Sequence, residues 1–121
     1  MDTERRRFKR LPTALIARLR TRKPTQGELL QIQISNVSTG GVFISTLQPF
    51  PIGTVVEFDF HLPGATDAVH ATGVVRWILH HPPDIGMGVE FLEVTTASRV
   101  SLDTFIRRKM DDEQKLLPPG T

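Results

Sequence analysis

Two short stretches carry residue types suited to holding an anion. Glu4-Arg5-Arg6-Arg7-Phe8-Lys9-Arg10 is a basic run with one aromatic in it, and Ser35 to Gly41 reads SNVSTGG. Arginine suits phosphate and guanine because its planar fork offers paired N–H donors, which match two phosphate oxygens or guanine O6 and N7. Arg6 and Arg10 are four apart, so they can share a face in an extended segment or in a helical turn. That spacing permits convergence on one ligand without requiring it. In the second stretch Asn36 donates and accepts through its amide and Ser38 does both through its hydroxyl. Gly40-Gly41 allows positive φ and a close approach of backbone to ligand. Such a turn can line an anion pocket. An Asx-turn or an ordinary hairpin connection asks for the same residues, however, and most basic termini are solvated or bind polyanions loosely.

The elements that must position these residues are mostly strands. Leu15 to Arg20 alternates with period two, Leu30, Ile32 and Ile34 alternate with Gln31, Gln33 and Ser35, and Val42-Phe43-Ile44 follows the Asn/Ser/Gly cluster. Val56, Phe58, Phe60 and Leu62 stand against Glu57, Asp59 and His61, a strand with one apolar and one wet face. Val69 to Leu79 places Val75, Trp77 and Leu79 on one side, so that Trp77 and the phenylalanines read as core. After His80-His81-Pro82-Pro83, Ile85, Met87, Val89 and Phe91 form a last strand. Near Thr95 the period changes: Leu102, Phe105, Ile106 and Met110 follow helical spacing, with Thr96 or Ser98 as N-cap and Arg107, Arg108 and Lys109 toward the C-terminal end. The expected class is all-β: a six-stranded antiparallel barrel or sandwich closed by one helix.

A chain of 121 residues is the size of one domain. Hydrophobic residues make up 39% and charged residues 23%, a globular balance. No apolar run approaches bilayer length and no signal segment opens the chain, so the expected location is cytoplasmic. The absence of cysteine excludes disulfides and thiolate metal sites. Net charge is only +2, yet nine of the 15 Lys and Arg residues fall within the first 23 positions. A local cationic block beside a near-neutral body points to a discrete anionic partner or to one face that meets a polyanion.

The order Arg6-x-x-x-Arg10, a strand pair, then Asn36-x-Ser38-x-x-Gly41 resembles the PilZ domain, the bacterial receptor module for cyclic di-GMP, whose pattern is RxxxR followed by D/NxSxxG. Gly73-Val74-Val75-Arg76-Trp77 and Gly86-Met87-Gly88-Val89-Glu90-Phe91 look like the family's late GxVxW and GxGvxF strands, and the resemblance covers roughly residues 4 to 110. It implies a six-stranded antiparallel β-barrel with a C-terminal α-helix. It divides the chain into a flexible N-terminal arm (1–12), the barrel with its helix (13–110) and a disordered tail (111–121). By the same resemblance Arg6 and Arg10 grip phosphates and guanine edges, Asn36 contacts a guanine edge, Ser38 a phosphate or base, and Gly41 keeps the turn open. Arg5, preceding the first motif arginine, implies a stacked, intercalated pair of cyclic di-GMP molecules. Asn36 stands where many members have Asp, which removes a charge-assisted bond to guanine N–H donors and implies weaker affinity.

The resemblance implies a protein that binds cyclic di-GMP, needs no cofactor, and relays the signal to an unidentified downstream protein. The alternative is a PilZ-like interaction adaptor with weak or absent ligand binding. Nonspecific nucleic-acid binding through the Arg5–Lys23 block shares the electrostatics but lacks a run of aromatics for base stacking. Catalysis is not expected. His61 lies on a wet strand face, adjacent His80 and His81 point to opposite faces of an extended segment, and Ser38 has no evident base. Phe8, inside the arginine run, could anchor the arm on the barrel.

Overall fold

The structure is a computed structural model that describes residues 11–21, 29–82 and 84–115. Six strands, β1 (Leu11–Thr21), β2 (Leu30–Val37), β3 (Gly41–Ser45), β4 (Val55–Phe60), β5 (Val69–His81) and β6 (Asp84–Val94), precede one helix, α1 (Thr96–Lys115). All strand pairs are antiparallel, and the order β1-β2-β3-β6-β5-β4 closes into a barrel because β1 pairs with both β2 and β4. Closure leaves no unpaired edge to recruit another chain.

The alternating residues fill the interior. Leu19, Ile34, Ile44, Val56, Phe60, Val69, Val75 and Met87 are almost wholly removed from solvent. Leu102, Phe105 and Ile106 of α1 join the same cluster. Burying each of these three contributes about 1.5–3 kcal/mol, which docks the helix far more firmly than its intrinsic propensity could.

Four details differ from the expectations above. Thr95, not Thr96 or Ser98, caps α1: its hydroxyl accepts from the Ser98 amide (3.2 Å) while its carbonyl accepts from the Arg99 amide (2.8 Å). Ser98 is buried, and its hydroxyl accepts from the His70 amide of β5 at 3.0 Å. The helix continues through residues 111–115, past the boundary expected at 110. Trp77 is not in the barrel interior. A bulge between Val75 and Trp77 pairs Trp77 with Gly88, and the indole occupies the space a Gly88 side chain would fill. Since Met87 and Val89 point into the core, Gly88 and Trp77 face outward. There Trp77 stacks on Phe43, with ring centroids 5.2 Å apart.

Candidate functional site

Bulges decide which side chains reach the outer face. Simple alternation from Ile32 and Ile34 would send Asn36 inward. A register shift between Ile34 and Asn36 instead pairs Asn36 with Phe43 and Val37 with Val42. Val37 and Val42 are core residues, so Asn36 and Phe43 share the outer face. Asn36 is half-buried. Through successive pairings, Pro12 of β1, Asn36 of β2, Phe43 of β3, Gly88 of β6 and Trp77 of β5 form one row around the barrel's exterior. Phe43 is buried within this row, 5% exposed and stacked on Trp77, whereas Asn36 and Trp77 are half-buried and keep part of their polar and aromatic surface open.

The connection from β2 to β3 is held at the Thr39, Gly40 and Gly41 carbonyls. The Ser38 amide donates to the Gly41 carbonyl at 2.9 Å, and the Ser38 hydroxyl, itself buried, donates to the same oxygen at 3.3 Å. The Gly40 amide donates to the Ser38 hydroxyl at 3.2 Å. The Gly40 carbonyl accepts from the Phe91 amide of β6 at 2.9 Å, and the Thr39 carbonyl accepts from Arg99 Nη1 of α1 at 2.8 Å. Ser38 therefore shapes the turn through its amide and its hydroxyl alike.

Neither Gly40 nor Gly41 uses positive φ; among the described residues only Gly53 and Gly64 do. Gly41 is glycine for another reason. A β-carbon there would run into the Val89 carbonyl of the paired strand β6. The close approach expected of Gly41 is thus to the barrel's own backbone.

Arg5, Arg6 and Arg10, and with them Phe8, lie outside the described residues. Their point of attachment does not: Leu11 pairs with Val37 and Pro12 with Asn36, so β1 begins directly beside the residue that precedes Ser38.

Two open clefts flank this region and the sheet. One, of about 620 Å³, lies between the turn and α1 and is lined by Thr39, Arg99, Asp103, Ile106, Arg107, Met110 and Asp111. The other, of about 300 Å³, runs across β1, β4, β5 and β6 with Arg18, Arg20, Glu57, Asp59, His70 and Glu93 along it. Its charges are mixed, and Arg18 is already paired with Asp59 at 3.2 Å. Among the described residues no group of histidines and carboxylates is arranged to hold a metal ion, and no helix is long and apolar enough to cross a membrane.

The sequence groups Asn36, Ser38 and Gly41, and the structure places Asn36 near the end of β2, Ser38 in the β2–β3 connection and Gly41 at the start of β3. Phe43 is buried as expected, but the outward placement of Trp77, whose signal was the glycine at position 88 opposite it, was missed, and so was Arg99, whose partner is 60 residues away.

The family model for the PilZ domain matches residues 4–108. No curated protein sequence matches significantly. Among solved structures, the Bacillus subtilis inhibitor of motility MotI/DgrA is similar at a TM-score of 0.70 with 21% identity, over 88% of this chain and 52% of its own. The chain thus spans about half the length of that protein. The PilZ domain of YcgR from Escherichia coli, solved with c-di-GMP, gives a TM-score of 0.59 and 16% identity over 93% of this chain and 99% of its own. The PilZ domain of CeSA from a cellulose-synthesizing bacterium gives 0.56 and 12%, over 84% and 98%.

Proposed function

The chain belongs to the PilZ domain family, and from that premise we propose that it binds cyclic di-GMP between the arginines of residues 5–10 and the outer row that contains Asn36, and passes the bound state to a partner protein. The observation that carries this reading is the pairing of Leu11 with Val37 and of Pro12 with Asn36. Consecutive Cα atoms lie about 3.8 Å apart, so Arg10, one residue before the start of β1, is tethered within reach of the Ser38–Gly41 turn, and Arg6 is four residues further back. The cyclic di-GMP named in the YcgR structure supports the ligand's identity.

In this account Arg6 and Arg10 supply bidentate donors to phosphate or guanine. The Asn36 amide meets a guanine edge, and the Ser38 turn fixes the amide's surroundings. Arg5 would allow a second, stacked ligand molecule. The PilZ family is one of ligand-binding and adaptor domains, and the role proposed is sensing and relay rather than catalysis.

Isothermal titration of cyclic di-GMP into the wild-type protein, Arg6→Ala and Arg5→Ala tests the proposal. Losing a charge-assisted contact should weaken binding at least about 10-fold in Arg6→Ala. Two ligands per chain in the wild type, falling to one in Arg5→Ala, would support the stacked pair. Unchanged affinity in Arg6→Ala would contradict the site, and no heat in the wild type would favour the adaptor reading.

A further inference from the structure

Arg99 sits in the first turn of α1 and touches three things. Its Nη1 donates to the Thr39 carbonyl at 2.8 Å, it lies 3.5 Å from Asp103 one turn further along, and its guanidinium stands 5.6 Å from the centre of the Phe91 ring. Phe91 in turn donates its amide to the Gly40 carbonyl. Two adjacent carbonyls of the turn are thus held by two groups that are packed on each other.

The bonds form a directional chain. Arg99 donates to the carbonyl of the Thr39–Gly40 peptide, the N–H of that same peptide donates to the Ser38 hydroxyl, and the hydroxyl donates to the Gly41 carbonyl. Each link polarises the next in the same sense, and the first donor carries a full positive charge. Withdrawing electrons from the Thr39 carbonyl makes the Gly40 N–H a stronger donor and tightens the turn around Ser38.

We propose that Arg99 is a positioning residue for the 38–41 turn, and that through it occupancy of the site and the docking of α1 are reciprocally coupled. The proposal rests on the cyclic di-GMP reading for its ligand but not for its geometry. A ligand that tightens the turn strengthens the Thr39–Arg99 contact, and by linkage a firmly docked helix raises affinity for the ligand. The cleft between turn and helix then changes with occupancy, which gives a partner protein something to read.

The test uses Arg99→Met, which keeps an apolar stem and removes the donors, and Arg99→Lys, which restores a charge and a donor without the planar fork. Without ligand, amide hydrogen exchange at Gly40 should speed up about 10-fold or more in Arg99→Met and recover partly in Arg99→Lys, with an unchanged circular dichroism spectrum. With cyclic di-GMP, Arg99→Met should weaken binding about 10-fold, and its effect should largely vanish in a Ser38→Ala background because both act on one chain of bonds. In the wild type, saturating ligand should slow exchange across residues 99–106, and in Arg99→Met it should not. Unchanged Gly40 exchange, or losses from Ser38→Ala and Arg99→Met that simply add, would overturn the proposal. If the wild type takes up no cyclic di-GMP, the functional reading fails, and the ligand-free exchange still decides the role of Arg99.

Discussion

A β-carbon on Gly41 has nowhere to go, because the Val89 carbonyl of the neighbouring strand occupies its place. This motif glycine therefore answers to strand pairing before it answers to any ligand. Gly41→Ala should destabilise the ligand-free protein by about 1–3 kcal/mol, as overpacking does in a close-packed site, and a denaturant titration without ligand measures it. A variant as stable as the wild type would mean the two strands separate there at no cost. Asn36 shows the complementary case: its type was readable, but its outward direction was set by a bulge at the preceding residue. Arg99 was not readable as a site residue at all, since nothing in its neighbourhood in sequence hints at a carbonyl on a turn 60 residues earlier.

Among the elements, α1 bears most on the site because its first turn carries Arg99. Thr95→Ala removes the hydroxyl that satisfies the Ser98 amide, and it should cost about 1 kcal/mol and lower the midpoint of a thermal melt by several degrees. An unaltered melt would show that the cap contributes nothing once the helix is docked. The six strands and the helix were legible because Val56, Phe58 and Phe60, or Leu102, Phe105 and Ile106, repeat with the period of the surface they bury. What escaped was where that period breaks. Val75 and Trp77 look like one face of β5 until the bulge between them turns the indole outward onto Gly88. Thr95 lies one residue before the first candidate cap, a boundary that periodicity alone resolves poorly.

At the scale of the whole molecule, the pairing of β1 with β2 brings the start of β1 beside the β2–β3 turn, and Arg99 ties that turn to α1. The start of β1, the 38–41 turn and the first turn of α1 thus meet in one region of the domain. The arginines themselves precede the described residues, so their convergence on the turn is the central claim to test. The most direct measurement is the rate of tryptic cleavage after Arg5 to Arg10, with and without saturating cyclic di-GMP, in the wild type and in Asn36→Ala. Arm and turn acting as one site predict strong protection of residues 5–10 in the wild type and its loss in Asn36→Ala at the same ligand concentration. Equal protection in both proteins, or none in a wild type that binds the ligand, would contradict the account.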